Sequence, residues 1–158
     1  MNRLSSPAIA TSRYLRHRWP VVQALPNPKI QATLHAYYDA INARNQVEWL
    51  ALWSADAVCH HPVGALPAEG EPGLREIWKM LTGPFQRVLF RAEKIFYAGA
   101  GAAVNWTAEG TGVNGGTVSF EGISVFELTA EGRIQTEIAY WDPAAMLIEL
   151  AEQGRTFQ

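Results

Sequence analysis

Short glycine-containing turns divide the second half of the chain into four extended runs, and this pattern constrains the fold more than any other feature. The turns lie at 98–101, 114–116 and 130–132, and the extended runs occupy 88–97, 102–111, 117–128 and 133–141. Connections this short join antiparallel neighbours, because a parallel crossover needs a dozen or more residues. The second half therefore predicts an antiparallel meander of four strands.

The first half carries helical spacing instead. Asn27 and Pro28 form a helix start signal, with a capping side chain before a proline at the first helical position. The apolar stripe that follows is Ile30, Leu34, Tyr37, Tyr38 and Ile41. A second helix is expected over 46–53, with Val47, Leu50 and Trp53 inward, and a strand over 57–61 follows it. After a loop over 62–73, a third helix is expected to bury Leu74, Ile77, Trp78 and Leu81. A last helix is expected over 143–150, after the meander.

Helices followed by a run of antiparallel strands are an α+β layout. A strongly curved antiparallel sheet wrapped around the N-terminal helices would form a cone with an internal apolar pocket, the usual form of a small-molecule site. We expect a basic N-terminal extension at 1–27, one domain at 28–152 and a C-terminal tail at 153–158. The extension carries four arginines and no acid, which fits a basic tail, a packed helix or a transit-peptide-like segment.

Composition excludes several classes of function. The net charge of -2 gives no general attraction to nucleic acid or to an anionic membrane, and no apolar run reaches membrane-spanning length. The single cysteine, Cys59, cannot form an intrachain disulfide. We therefore expect a cytoplasmic protein with no cofactor, no metal, and neither a nucleic-acid nor a membrane partner.

The stretch 58–64, Val-Cys-His-His-Pro-Val-Gly, is the leading candidate for chemistry. Strand alternation places Cys59 and His61 on one face and His60 on the other, so His60 and His61 are not expected to share a metal. An imidazole titrates near neutral pH, and this suits His61 to acid–base work. A structural role for His61 stays open, and His17 and His35 are expected at the surface.

The same stretch resembles the first strand of the ketosteroid isomerase and SnoaL-like polyketide cyclase families, which have the nuclear transport factor 2-like fold. Residues 35–42, His-Ala-Tyr-Tyr-Asp-Ala-Ile-Asn, resemble the first isomerase helix, which supplies a tyrosine donor at the place of Tyr37. In this register His61 stands where the isomerases have their aspartate base. Ser124 replaces the protonated aspartic acid of their oxyanion hole, and Trp141 falls at an aromatic wall position.

The resemblance implies an isomerase- or cyclase-like enzyme that enolises a small hydrophobic carbonyl compound. His61 would remove the proton and Tyr37 would donate to the enolate oxygen, although Tyr38 could fill the same role. Two alternatives remain: a non-catalytic binding or accessory module, which the loss of both carboxylates fits, and an epoxide hydrolase, which needs acids to activate water. The further residues expected to line the ligand site are Ser124, Phe126, Trp141, Trp106, Glu137 and Asp142.

Two of these residues carry carboxyl groups with open roles. Glu137 shares a strand face with Trp141, and a carboxyl in an apolar pocket is expected to have a raised pKa. Asp142 is either a pocket acid or the N-cap of the last helix. A homodimer through the outer face of the sheet is also expected, and the residues assigned to that face are Thr107, Glu109, Val118, Phe120 and Val125.

Overall fold

The computed structural model describes residues 27–155, so the expectations for the N-terminal extension and for His17 lie outside the described residues. The helices are α1 (Pro28–Asn42), α2 (Gln46–Ala51), α3 (Gly70–Thr82) and α4 (Pro143–Arg155). The strands are β1 (Trp53–His60), β2 (Ala68–Glu69), β3 (Phe85–Ala98), β4 (Gly101–Gly112), β5 (Thr117–Leu128) and β6 (Ile134–Tyr140). The expected α+β layout is confirmed.

One curved sheet holds all six strands in the order β2-β1-β6-β5-β4-β3, and it does not close into a barrel. Strands β3 to β6 form the predicted antiparallel meander. Strand β1 joins the sheet beside β6 in parallel, so the sheet is mixed rather than antiparallel throughout. The turns of the meander could not reveal this pairing, because α3 and strands β3 to β5 lie between β1 and β6 in the chain. The parallel pair puts β6 in the interior of the sheet.

The meander turns depend on glycine. Gly99 lies in the β3–β4 turn and Gly115 in the β4–β5 turn, with φ angles of 57° and 82°. Only glycine adopts such left-handed angles without a steric cost, so these two residues allow the strands to reverse within a few residues. The sequence therefore fixes the hairpins locally.

Helix α1 packs its apolar stripe against the concave face of the sheet. The side chain of Asn27 accepts a hydrogen bond from the Lys29 amide at 3.0 Å, which confirms the predicted cap. The prediction that Val47 points inward from α2 was wrong, because Val47 is 79% exposed and Trp49 is the fully buried residue of this helix. A six-residue helix has too few turns to fix its phase from sequence, and Trp53 begins β1 rather than ending α2.

The two faces of the sheet differ from the expected assignment at two residues. Val118 is buried and Phe120 packs against the core, so both belong to the inner face and not to the outer face. Alternation along β5 puts Ile123 and Val125 outward instead. The exposed large apolar residues of the outer face are Phe96, Ile123, Val125 and Tyr140.

Helix α4 follows the exposed Asp142 and extends to Arg155, beyond the predicted end at residue 150. The Asp142 carboxylate accepts a hydrogen bond from the Ala145 amide at 2.9 Å, so Asp142 is the N-cap of the helix. Met146 and Leu150 are buried, which attaches α4 to the rest of the domain. Within residues 27–155, no helix has the length and apolar character needed to cross a membrane.

Candidate active site

The site is built around Glu137, a carboxyl group on the central strand β6. Cys59 on β1 and Phe126 on β5 are the cross-strand partners of Glu137, so its side chain stands between two strands on the concave face. Its side chain has no exposed surface. A carboxyl group in such a place must find hydrogen-bond partners, because an unpaired buried charge is very costly.

Three side chains from different elements contact the Glu137 carboxyl group. The Ser124 hydroxyl lies 2.9 Å from Oε1 and the Tyr37 hydroxyl lies 3.0 Å from Oε2. The Cys59 thiol lies 3.6 Å from Oε2, a normal length for a contact through sulfur. Helix α1, strand β1 and strand β5 thus each supply one donor, and the three donors hold the carboxyl group in one orientation.

His61 lies beside this cluster, in the loop that follows β1. The amide of Val63 donates to the carbonyl of Ala139 at 2.8 Å, which ties the loop to the end of β6. The Trp141 indole donates to His61 Nδ1 at 2.9 Å. Because an indole N–H can only donate, Nδ1 is the acceptor and the ring hydrogen of the neutral imidazole is on Nε2. That Nε2 atom lies 3.6 Å from Glu137 Oε1.

A second indole orients the serine. Trp106 Nε1 donates to Ser124 Oγ at 3.1 Å, and Ser124 Oγ is the atom that contacts Glu137. Since the hydroxyl oxygen accepts from the indole, its own hydrogen is free to point at the carboxylate. Two tryptophans therefore direct two donors, on His61 and Ser124, toward Glu137.

Burial moves the pKa values of the two central groups in opposite directions. Burial raises the pKa of Glu137 from 4.5 to about 7, and the bonds from Ser124, Tyr37 and Cys59 lower it in part. Burial lowers the pKa of His61 from 6.5 to about 3. Near neutral pH the site therefore holds a neutral imidazole beside a carboxyl group in the middle of its titration, and the two do not form an ion pair.

The space next to this cluster is small. A cavity of about 10 Å³ is lined by eight side chains, namely Tyr37, Tyr38, Ile41, His61, Leu81, Phe90, Trp106 and Ser124. A volume of this size holds about one water molecule. The cone interior beyond it is filled by aromatic rings, with Trp141 stacked on Phe120 at 5.5 Å and 6.0 Å from Trp106. The space beside His61 and Ser124 is therefore too small for a ligand molecule.

The structure brings together most of the residues that the sequence indicated. Tyr37, Ser124, Glu137 and His61 form the cluster described above. Trp141 and Trp106 hydrogen-bond to it, and the Phe126 ring packs edge-on against Tyr37 at 5.2 Å. Asp142 lies apart, at the exposed start of α4.

Sequence reasoning missed the part played by Cys59. It assigned this cysteine only to the face of His61, and the cross-strand pairing with Glu137 became visible only once β1 was seen next to β6. The pKa of the thiol is raised by burial, so Cys59 stays protonated and acts as a donor. Among residues 27–155, no three His, Cys, Asp or Glu side chains come together as a metal site.

Fold and site together define a curved-sheet α+β domain that carries a buried acid–base cluster on its concave face. The chain belongs to the SnoaL-like domain family, whose family model matches residues 34–137. Its fold is the nuclear transport factor 2-like fold of its structural neighbours. No curated protein matches the chain in sequence.

The names of solved structures with this fold give different activities or ligands. The epoxide hydrolase/cyclase-like enzyme SalBIII of pyran ring formation in salinomycin is 24% identical, with a TM-score of 0.66 over 72% of this chain and 91% of its own. Δ5-3-ketosteroid isomerase from Mycobacterium sp. is 21% identical, with a TM-score of 0.64 over 72% of this chain and 93% of its own. RV0760c from Mycobacterium tuberculosis, in complex with estradiol-17β-hemisuccinate, is 17% identical, with a TM-score of 0.64 over 75% and 96%.

Proposed function

We propose that this chain is an isomerase- or cyclase-like enzyme that enolises a small hydrophobic carbonyl compound by acid–base chemistry. The observation that carries the proposal is the fully buried Glu137 carboxyl, with a pKa of about 7, next to the neutral imidazole of His61. A proton acceptor works best when its pKa lies near the operating pH. Carboxyl groups are rarely fully buried, and groups with strongly shifted pKa values concentrate at functional sites.

In this proposal His61 and Glu137 act as one proton acceptor. The ligand displaces the Trp141 indole from Nδ1, and His61 takes the ligand's α-proton at that nitrogen. The Nε2 proton of His61 passes at the same time to Glu137 Oε1, for which the present separation of 3.6 Å shortens to hydrogen-bond length. The imidazole thus stays neutral throughout, in agreement with its lowered pKa, and the proton ends on the group that is able to hold it at neutral pH.

The groups around Glu137 decide the expected pH dependence. Tyr37 and Cys59 contact the carboxyl group and Tyr38 lies within its electrostatic influence, and burial raises the pKa of all three, so they stay protonated in the neutral range. Glu137 accepts a proton only when it is ionised. Activity should therefore rise as the pH passes through about 7, where Glu137 loses its proton, and then level off.

The test is deuterium exchange, which detects enolisation without knowledge of the product. A panel of small enolisable ketones and unsaturated lactones is incubated with the protein in D₂O, and loss of the α-proton signal is followed by NMR. We expect Glu137→Gln and His61→Ala to slow exchange by about 100-fold or more. Glu121→Gln removes an exposed carboxyl of β5 and serves as the matched control. Exchange at the parent rate in both site variants would contradict the mechanism.

The second candidate function is a non-catalytic binding or accessory module. The observation that favours it is the tightly packed interior, where the cavity measures only about 10 Å³. In addition, Nδ1 of His61 accepts a hydrogen bond from Trp141, and Nε2 of His61 faces Glu137. Ligand binding by the parent with no α-proton exchange in any compound of the panel would support this candidate. The hydrolase alternative has less support, because Asp142 caps α4 and Glu137 is the one buried carboxyl group among residues 27–155.

The protein is also proposed to form a homodimer through the outer face of the sheet. Phe96, Ile123 and Tyr140 are each about half exposed there, and Val125 lies beside them, which makes an apolar surface on one face. Sedimentation of the parent at micromolar concentration should give a dimer, and Ile123→Lys should give a monomer. A monomeric parent would count against the proposal.

A further inference from the structure

The Trp141 indole fills the concave side of the sheet between the acid–base cluster and the β4–β5 turn. Its N–H donates to His61 Nδ1 at 2.9 Å. Its face stacks on the Phe120 ring at 5.5 Å with an interplanar angle of 28°, and the Trp106 ring stands edge-on to it at 6.0 Å. Two aromatic rings and one hydrogen bond therefore hold the indole in the way that a protein holds a flat aromatic ligand.

Helix α4 begins two residues after Trp141 and closes this end of the concave face. Gly112 lies in the buried row of β4, and a Cβ atom on it would come within 2.8 Å of Leu150 Cδ1. A Cβ atom on Gly116, just before β5, would lie 2.8 Å from the Leu150 carbonyl oxygen. The same carbonyl accepts a hydrogen bond from Asn114 Nδ2 at 3.0 Å. The helix is thus seated directly on the β4–β5 turn, over the aromatic rings around Trp141.

Few apolar contacts hold α4 in this position. Among residues 143–154, the buried side chains are those of Met146 and Leu150, whereas Leu147 and Ile148 are 48% and 60% exposed. The hydrogen bond from the Asp142 cap is made to the helix itself, so it persists if the helix moves. Segments with few buried apolar contacts open at a lower free energy than the core. Helix α4 can therefore leave the concave face without unfolding, and it takes the indole with it.

We propose that the ligand site is the place now filled by the Trp141 indole, that α4 is a lid which withdraws this ring, and that the ligand is a planar bicyclic aromatic compound. The ligand would stack on Phe120 and direct a hydrogen at His61 Nδ1, as the indole does. The space for the ligand then comes from the departing indole, and the small cavity beside His61 is only the floor of the site. This inference rests on the proposed function, in which that hydrogen is the α-proton, but it concerns binding alone.

Indole and benzofuran are the probes, since they have the same flat shape and only indole has an N–H to donate. Their affinities are measured by isothermal titration for the parent, Trp141→Ala and His61→Phe. We expect Trp141→Ala to bind indole at least about tenfold more tightly than the parent, because no ring has to be displaced. The parent and Trp141→Ala should prefer indole to benzofuran by about tenfold, the usual contribution of one hydrogen bond, and His61→Phe should lose this preference.

The role of α4 is tested by a matched pair of leucine substitutions on the same helix. Leu150→Ala weakens the seat of the lid and should tighten indole binding by about tenfold or more, because it raises the fraction of the protein with an open lid. Leu147→Ala makes the same chemical change at an exposed position and should leave the affinity unchanged. In the Trp141→Ala background, Leu150→Ala should give no gain, since the lid can then close over bound indole. Circular dichroism checks that each variant is folded.

The proposal is overturned if the parent binds indole as tightly as Trp141→Ala does, or if the parent fails to bind indole at millimolar concentration. It is also overturned if Leu150→Ala binds indole no more tightly than Leu147→Ala, a comparison that does not depend on the folding of Trp141→Ala. Retention of the indole preference in His61→Phe would place the ligand elsewhere. Indole binding in competition with Trp141, without α-proton exchange in any ketone of the panel, would support this inference and contradict the proposed function.

Discussion

Replacing Glu137 by glutamine should change how the stability of the protein depends on pH, and the size of the change follows from the structure. The folded protein holds the Glu137 proton up to a pH of about 7, whereas the unfolded chain releases it near 4.5. Between these values the folded state binds one more proton, so the contribution of Glu137 to the free energy of unfolding falls as the pH rises. The interval of about 2.5 pH units corresponds to about 3 kcal/mol.

His61 contributes with the opposite sign in an overlapping range. Its pKa is lowered from 6.5 to about 3, so the unfolded chain binds the extra proton and stability rises with pH over that interval. Between pH 4.5 and 6.5 the two slopes oppose each other, so the contributions of Glu137 and His61 to the parent's free energy of unfolding nearly cancel. Glu137→Gln keeps only the His61 slope of this pair, so its free energy of unfolding should rise relative to that of the parent by about 1.4 kcal/mol per pH unit in this range.

The assay is urea unfolding followed by tryptophan fluorescence at constant ionic strength, from pH 4.5 to 7.5. The quantity to plot is the stability of the parent minus that of Glu137→Gln, in which the His61 contribution cancels. It should decrease by about 3 kcal/mol across the range, while the difference between the parent and Glu121→Gln should stay level. A parent–Glu137→Gln difference constant to within about 0.5 kcal/mol would refute the raised pKa on which the mechanism depends.

Three other substitutions test single features. Trp141→Phe removes the donor to His61 Nδ1 while keeping an aromatic ring, so the ¹⁵N NMR signals of the imidazole should show a mixture of tautomers in place of one. Gly122→Ala places a Cβ against the Trp106 ring and should lower the free energy of unfolding by about 1–3 kcal/mol in urea titrations. Asp142→Ala removes the cap of α4 and should lower stability by about 1 kcal/mol, with α-proton exchange unchanged.

The sequence predicted the features that depend on local pattern. Glycine turns predicted the meander, and alternation predicted that Cys59 and His61 share a face and that Glu137 and Trp141 share a face. Both pairs lie on the concave side, where Cys59 contacts Glu137, and His61 and Trp141 follow directly after the ends of β1 and β6. The raised pKa expected for Glu137 has the predicted cause, which is burial among apolar side chains.

The features that depend on pairing between distant elements could not be predicted. The parallel contact of β1 with β6 brings Cys59 to Glu137, and nothing near either residue encodes it. The face of the sheet on which Val118 and Phe120 lie was also predicted wrongly, because a shift of one position along a strand reverses the face. The convergence of three donors on one carboxyl group is a property of the assembled sheet.

The central position of β6 has a consequence for the order of folding. Tyr37 and Glu137 are 100 residues apart in the chain, yet they share a hydrogen bond. A contact of this span requires closure of a long loop, which is entropically costly and therefore slow. The meander can form from local hairpins, but the site is complete only after β6 has docked beside β1. The hydrogen bond between Trp141 and His61 should therefore form late in refolding, and a nascent chain lacking β6 cannot assemble the cluster around Glu137.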